Sequence, residues 1–116
     1  MTAETAPQPS SEWLSLPQLV EVLDQPIARV RRLLDDAHLV GTKRDGVFVV
    51  PAVFIVDGEP LASLRGTVIV LRDAGFTDDE AIEWLIAHDD SIGRPPIEAL
   101  TAGHKAEVRR VARTLA

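Results

Sequence analysis

The chain of 116 residues has no cysteine. That absence excludes disulfide scaffolds, cysteine zinc sites and thiol catalysis together. It also has no tyrosine, and its whole aromatic supply is Trp13, Trp84, Phe48, Phe54 and Phe76. These rings are not interleaved with basic residues, as single-strand stacking surfaces require, so they read as core anchors. The longest apolar run, residues 47–56, is broken by Pro51 and is far too short to span a bilayer. The first residues lack a basic and then apolar leader, and Met-Thr-Ala lacks the glycine that myristoylation needs. The expectation is a soluble cytoplasmic protein without membrane contact. Catalytic patterns are missing as well. His38, His88 and His104 are far apart and none stands in His-x-x-x-His or Glu-x-x-His spacing. Asp89-Asp90 lacks the further oxygen ligands of a calcium loop. Asp78, Asp79 and Glu80 look like acids at a helix start rather than metal ligands. There is no phosphate-cradling glycine loop and no Gly-x-Ser-x-Gly elbow. The expectation is a protein that is not an enzyme and has no catalytic residues, metal or cofactor.

Leu, Ile, Val and Phe supply 36 residues, enough to fold most of the chain around one core. The formal net charge is −6, the wrong sign for a uniform nucleic-acid binder, but the charges are unevenly placed. Residues 1–25 hold four acids and no base, and residues 26–48 hold five bases (Arg29, Arg31, Arg32, Lys43, Arg44) against three acids. Residues 57–90 return to nine acids against two bases, and residues 101–116 hold four bases against one acid. A basic island in an acidic chain asks for a local explanation.

Residues 1–12 contain almost nothing apolar and cannot repay the entropy of ordering, so they read as a disordered tail. Ser15-Leu16-Pro17-Gln18 fits a capping box, with Leu14 and Leu19 at the staple positions. Leu16, Leu19, Val20 and Leu23 then recur at helical spacing, and Pro26 ends that helix just upstream of itself. A second helix is predicted from Pro26 to about Ala37. Its apolar face is Ile27, Val30, Leu33, Leu34 and Ala37, which leaves Ala28, Arg29, Arg31, Arg32, Asp35 and Asp36 outside. Asp45-Gly46 between two β-prone runs is the sequence of a type I′ hairpin, with Lys43 and Arg44 beside its tip. Two short helices followed at once by a basic hairpin read as a winged helix-turn-helix.

Beyond the hairpin, an extended piece is predicted over residues 53–56, closed by Asp57-Gly58. Helices follow over residues 64–74 with Gly75 as stop, from the capping box Thr77-Asp78-Asp79-Glu80, from Pro95-Pro96 through Leu100, and after Gly103. The last helix gathers Val108, Val111, Ala112 and Leu115 on one face. The fold class expected is mainly α with a small β-hairpin wing. Its domains are a tail over 1–12, a winged helix-turn-helix over 13–56, and a helical C-terminal domain over 57–116 packed on it. No heptad pattern is sustained, which favours a monomer, with two copies on a palindrome as the alternative.

Residues 14–51 resemble the helix-turn-helix and wing of the MerR and excisionase class. The joint is Ala37-His38-Leu39, where that class has Gly-Arg-Leu, and the wing strand ends in Val50-Pro51. More narrowly, residues 13–116 resemble small actinobacterial winged-helix DNA-binding proteins with a helical C-terminal extension. The residues that carry the likeness are the run Pro26 to Val30, His38-Leu39-Val40, Val50-Pro51 with Val53-Phe54, Gly75, and Trp84-Leu85. A mycobacterial member of that group is the substrate of a membrane Ser/Thr protein kinase that modifies a tail threonine. The resemblance thus implies a phosphorylation candidate at Thr5, or else Thr2. Residues 77–115 also look like the toxin-holding half of Xre-type antitoxins, through Trp84-Leu85, Gly93-Arg94-Pro95, Ile97 and Leu100.

For the second helix two readings compete. One is a solvated face with Asp35 and Asp36 as partners, and the other is contact with double-stranded DNA. The arginines lie in the half of a recognition helix that meets base edges, and with the resemblance this favours DNA. The expected DNA-binding set is Ala28, Arg29, Arg31, Arg32, Lys43 and Arg44. Arg29 and Arg32 suit base edges, while Arg31, Lys43 and Arg44 suit phosphates. Lys105, Arg109, Arg110 and Arg113 either extend that footprint or, the preferred reading, are neutralised by the acids of residues 57–90. The function expected is a transcriptional regulator at the nucleoid, tuned by a kinase. The alternatives are a partner-binding module built on the C-terminal helices, or an excisionase-like architectural DNA binder.

Overall fold

The computed structural model describes residues 12–115. The proposed tail up to residue 11, with Thr2 and Thr5, lies outside them, while the carbonyl of Glu12, its last residue, accepts the Ala52 amide at 3.1 Å. Strand β1 (Trp13–Ser15) leads directly into helix α1 (Leu16–Leu23). The Ser15 capping box closes as its sequence requires: the Gln18 amide donates to Ser15 Oγ at 3.4 Å, and Gln18 Oε1 accepts the Ser15 amide at 2.8 Å. Asp24, left-handed at φ 53°, ends the helix. Pro26 then sits at the N-cap of α2 (Ile27–Asp35).

α2 is shorter than its periodicity implies. Ala37, expected on its apolar face, adopts φ 65° beyond the helix. The His38 amide donates to the Leu33 carbonyl at 2.9 Å, and the Ala37 amide to that of Leu34 at 3.2 Å. This is a Schellman closure with alanine at the position that favours glycine. The methyl group is almost fully buried, which offsets part of the left-handed strain. Ile27, also expected inside, is 42% exposed.

The wing is three-stranded. Strand β2 (Thr42–Arg44) and strand β3 (Val47–Pro51) pair antiparallel around Asp45 at φ 53° and Gly46 at φ 80°, the type I′ geometry. β1 adds on the other side of β3, with Leu14 opposite Val50, so the order is β1-β3-β2. Residues 53–56 are not one extended piece. Ala52–Phe54 form a 3-10 turn that carries Phe54 into the core, and only β4 (Ile55–Val56) pairs, with β5 (Glu59–Pro60).

Four helices follow: α3 (Leu64–Asp73), α4 (Asp78–Ile86), α5 (Pro96–Thr101) and α6 (Lys105–Arg113). The Thr77–Glu80 capping box forms at α4, with contacts of 2.9 and 3.2 Å. One continuous core joins Leu19, Val30, Leu39 and Val50 from the first half to Leu64, Leu71, Leu85 and Val108 from the second. Leu115 is not part of the α6 apolar face: that helix ends at Arg113, and Leu115 is 41% exposed. Of the five aromatics Phe54 alone is fully buried, and the others pack half-buried against the core.

A β-branched side chain tolerates the left-handed region worse than alanine. Ala37→Val therefore lowers the unfolding free energy by about 2 kcal/mol, read as a drop in the urea midpoint at unchanged slope.

Candidate nucleic-acid interface

α2 owes its orientation to two side chains. Val30 and Leu33 are buried against α1 through Leu19 and Leu23. At 100° per residue this turns Ala28, Arg31 and Arg32 away from the core and leaves Arg29 on the flank beside Leu33, and all four are exposed. The ionic contacts among the described residues are Arg72–Asp78 at 3.1 Å and His88–Asp90 at 3.2 Å. Asp35 and Asp36 therefore do not pair with the α2 arginines, whose charge stands open to solvent. Arg29 also lines a groove of about 290 Å³ beside Leu33, with Asp57 and Glu59 of the β4–β5 turn along its edge.

The wing cations are placed differently. Lys43 pairs across the ladder with Phe48, and Arg44 with Val47, so the two point to opposite faces of the sheet. The Arg44 guanidinium lies 4.4 Å from the centroid of the Trp13 ring, a cation–π stack that sets its direction. Thr42 and Arg44, on the same face as Trp13, line a groove of about 370 Å³ whose far wall is α4, with Asp79 and Glu83. Thr42 Oγ1 donates to Asp79 Oδ1 across that groove. The structure thus spreads Arg29, Arg32, Ala28 and Arg31, in that order, around the exposed side of α2, and sets Arg44 on a neighbouring element opposite carboxylates. Nothing local in the sequence announces the Thr42–Asp79 contact, since 37 residues separate its ends.

The C-terminal basic cluster is not neutralised in the expected way, since no carboxylate among the described residues lies within ion-pairing distance of it. Arg109 instead serves the fold. Its guanidinium donates to the Ser63 carbonyl at 3.0 Å and to Thr67 Oγ1 at 3.2 Å, tying α6 to α3. Gly66 makes the approach possible, because a Cβ there would come within 2.8 Å of Arg109 Cζ. Lys105, Arg110 and Arg113 are exposed. No group of three or more histidines and carboxylates among the described residues could hold a metal ion. No helix there is long and apolar enough to cross a membrane.

Two packed short helices, a tight turn between them and a three-stranded wing make this a winged helix-turn-helix fold with a helical C-terminal part. Family comparison agrees in both halves. Residues 2–55 match the model described as "DNA-binding protein Rv2175c, wHTH domain", and residues 61–116 match "Rv2175c C-terminal domain of unknown function". The DNA-binding protein Rv2175c of Mycobacterium tuberculosis is 32% identical over 121 residues, covering 93% of this chain and 83% of that one. The NMR structure of Rv2175c superposes with a TM-score of 0.83 at 31% identity, over 96% of this chain and 85% of that one. The chain belongs to the Rv2175c family.

Arg109 gives a direct test of the α3–α6 joint. Arg109→Met keeps the aliphatic stem but leaves the Ser63 carbonyl and Thr67 hydroxyl without their charged donor. The variant loses about 1.5–3 kcal/mol of stability, measured by urea denaturation, and Arg110→Met loses less than about 0.5 kcal/mol.

Proposed function

We propose that this protein binds double-stranded DNA in a sequence-directed way and acts as a transcriptional regulator at the nucleoid, as a monomer and without a catalytic step of its own. The observation that carries this reading is the exposed arginine face of α2, set by the burial of Val30 and Leu33 and unpaired with any carboxylate among the described residues. In a helix-turn-helix the second helix enters the major groove. Arg29 and Arg32, one turn apart, are the base-reading pair, since a guanidinium binds guanine O6 and N7 together. Ala28 lies between them and Arg31 on the wheel and permits close approach, its methyl suited to a thymine methyl. Arg31, Lys43 and Arg44 hold phosphates and set register. The division of labour is between residues 13–56, which meet DNA, and residues 57–116, which pack behind them. The mycobacterial relative, a DNA-binding protein by name, supports the same reading.

Regulation forms a second layer of the proposal. A Ser/Thr kinase phosphorylates Thr5, or else Thr2, adding about −1.5 to −2 charges ahead of β1 and lowering DNA affinity by repulsion. Its support is the resemblance of the chain to a kinase-regulated group. Equal DNA affinity of phosphorylated and unmodified protein removes this layer and leaves the first intact.

Fluorescence anisotropy with a selected duplex tests the main reading. Neutralising four or five phosphates predicts a slope of log K against log salt of roughly −4. Arg29→Ala/Arg32→Ala loses about 2–5 kcal/mol for the selected site and keeps its fold. Binding that does not weaken as salt rises, or that survives the double substitution, overturns the assignment. No binding at low salt moves the functional surface to the C-terminal helices.

A further inference from the structure

We infer that α4 carries a built-in competitor for DNA phosphate: Asp79 and Glu83 screen the wing cation Arg44 and thereby lower the protein's affinity for DNA of any sequence. This inference rests on the DNA-binding reading above and assigns a role to the C-terminal part within it.

The acids of α4 divide by occupation. Asp78 is engaged by Arg72, whose guanidinium donates to both of its oxygens at 3.1 and 3.3 Å. Glu80 closes the Thr77 capping box. Asp79 and Glu83 take no part in either. They stand four residues apart, on one face of the helix, and that face is turned to the wing across the groove floored by Ile82 and Ile86. Asp79 is tethered there by the Thr42 hydroxyl, the residue next to Lys43. On the opposite wall Arg44 is held over Trp13. Neither carboxylate is within ion-pairing distance of Arg44, so the wing is screened and not locked. Two carboxylates across a groove from one guanidinium lower the field that a phosphate would otherwise meet there. Phosphates brought to this wing must displace the carboxylates' influence or accept their repulsion. Sequence-independent binding, which is nearly all phosphate contact, suffers most. Base reading by α2, which stands apart from this groove, suffers least.

The test uses the full chain and a duplex of unselected sequence, with affinity measured at about 50 and 150 mM salt. Asp79→Asn/Glu83→Gln is compared with wild type and with Asp73→Asn/Glu98→Gln, which changes net charge equally at exposed sites outside the groove. Thermal melting followed by circular dichroism verifies that all three fold. The groove variant binds about threefold to tenfold tighter than both others, and its log–log salt slope is steeper by about one unit, the mark of a regained phosphate contact. Affinity and slope equal to those of the control variant overturn the screening role while leaving the DNA reading standing. Failure of all three proteins to bind duplex at the lower salt overturns both.

Discussion

A nine-residue helix does not persist alone in water, since nucleation costs more than so few hydrogen bonds return. α2 exists because Val30 and Leu33 are buried against Leu19 and Leu23 of α1, each such side chain contributing about 1.5–3 kcal/mol on burial. The same contact fixes the helix's rotation. Once those two side chains point inward, Ala28, Arg29, Arg31 and Arg32 must point out. The Ser15 capping box starts α1 at the right residue, and the Schellman closure through Ala37 hands the chain to the wing. The functional surface is therefore a consequence of core packing, and loosening the α1–α2 contact would disperse the arginines before it removed any of them.

The acidic chain makes sense once charges are sorted by partner. Arg109 and Arg72 are used by the fold, one on the Ser63 carbonyl and Thr67 hydroxyl, the other on Asp78. The α2 arginines are exposed and not ion-paired, with Arg29 bordering Asp57 and Glu59. Arg44 of the wing faces a pair of carboxylates delivered by α4. Excess negative charge elsewhere limits indiscriminate association with a polyanion, so a site of few cations can depend on base contacts for its affinity.

Local physics was readable in the sequence, and distant contacts were not. Both capping boxes, the type I′ turn at Asp45-Gly46 and the helix that displays Arg29 and Arg32 follow from spacing alone, because the interactions that make them span three or four residues. Ala37 misled because apolar periodicity extends two residues past the last helical residue, where a buried alanine takes the place a glycine would hold. β1 left no pattern, being three residues pressed against a helix cap and defined only by its partner strand. Phe54 looked extended within a β-prone run, yet its burial required a 3-10 turn. Leu115 continued the α6 pattern beyond the helix that carried it. The meeting of Thr42 with Asp79, and of Arg109 with Ser63, joins residues 37 and 46 apart, and charge arithmetic sent Arg109 to carboxylates when its partners are a carbonyl and a hydroxyl.

The proposed DNA recognition by this protein depends on the outward face of α2. The most direct measurement is a titration of isotopically labelled protein with a selected duplex, following backbone and arginine side-chain resonances by NMR. The predicted result is that the largest shifts fall at Ala28, Arg29, Arg31 and Arg32, with smaller ones at Lys43 and Arg44 and little change at Lys105, Arg110 and Arg113. Shifts concentrated on α6 or on α4, with α2 unmoved at saturation, would contradict it.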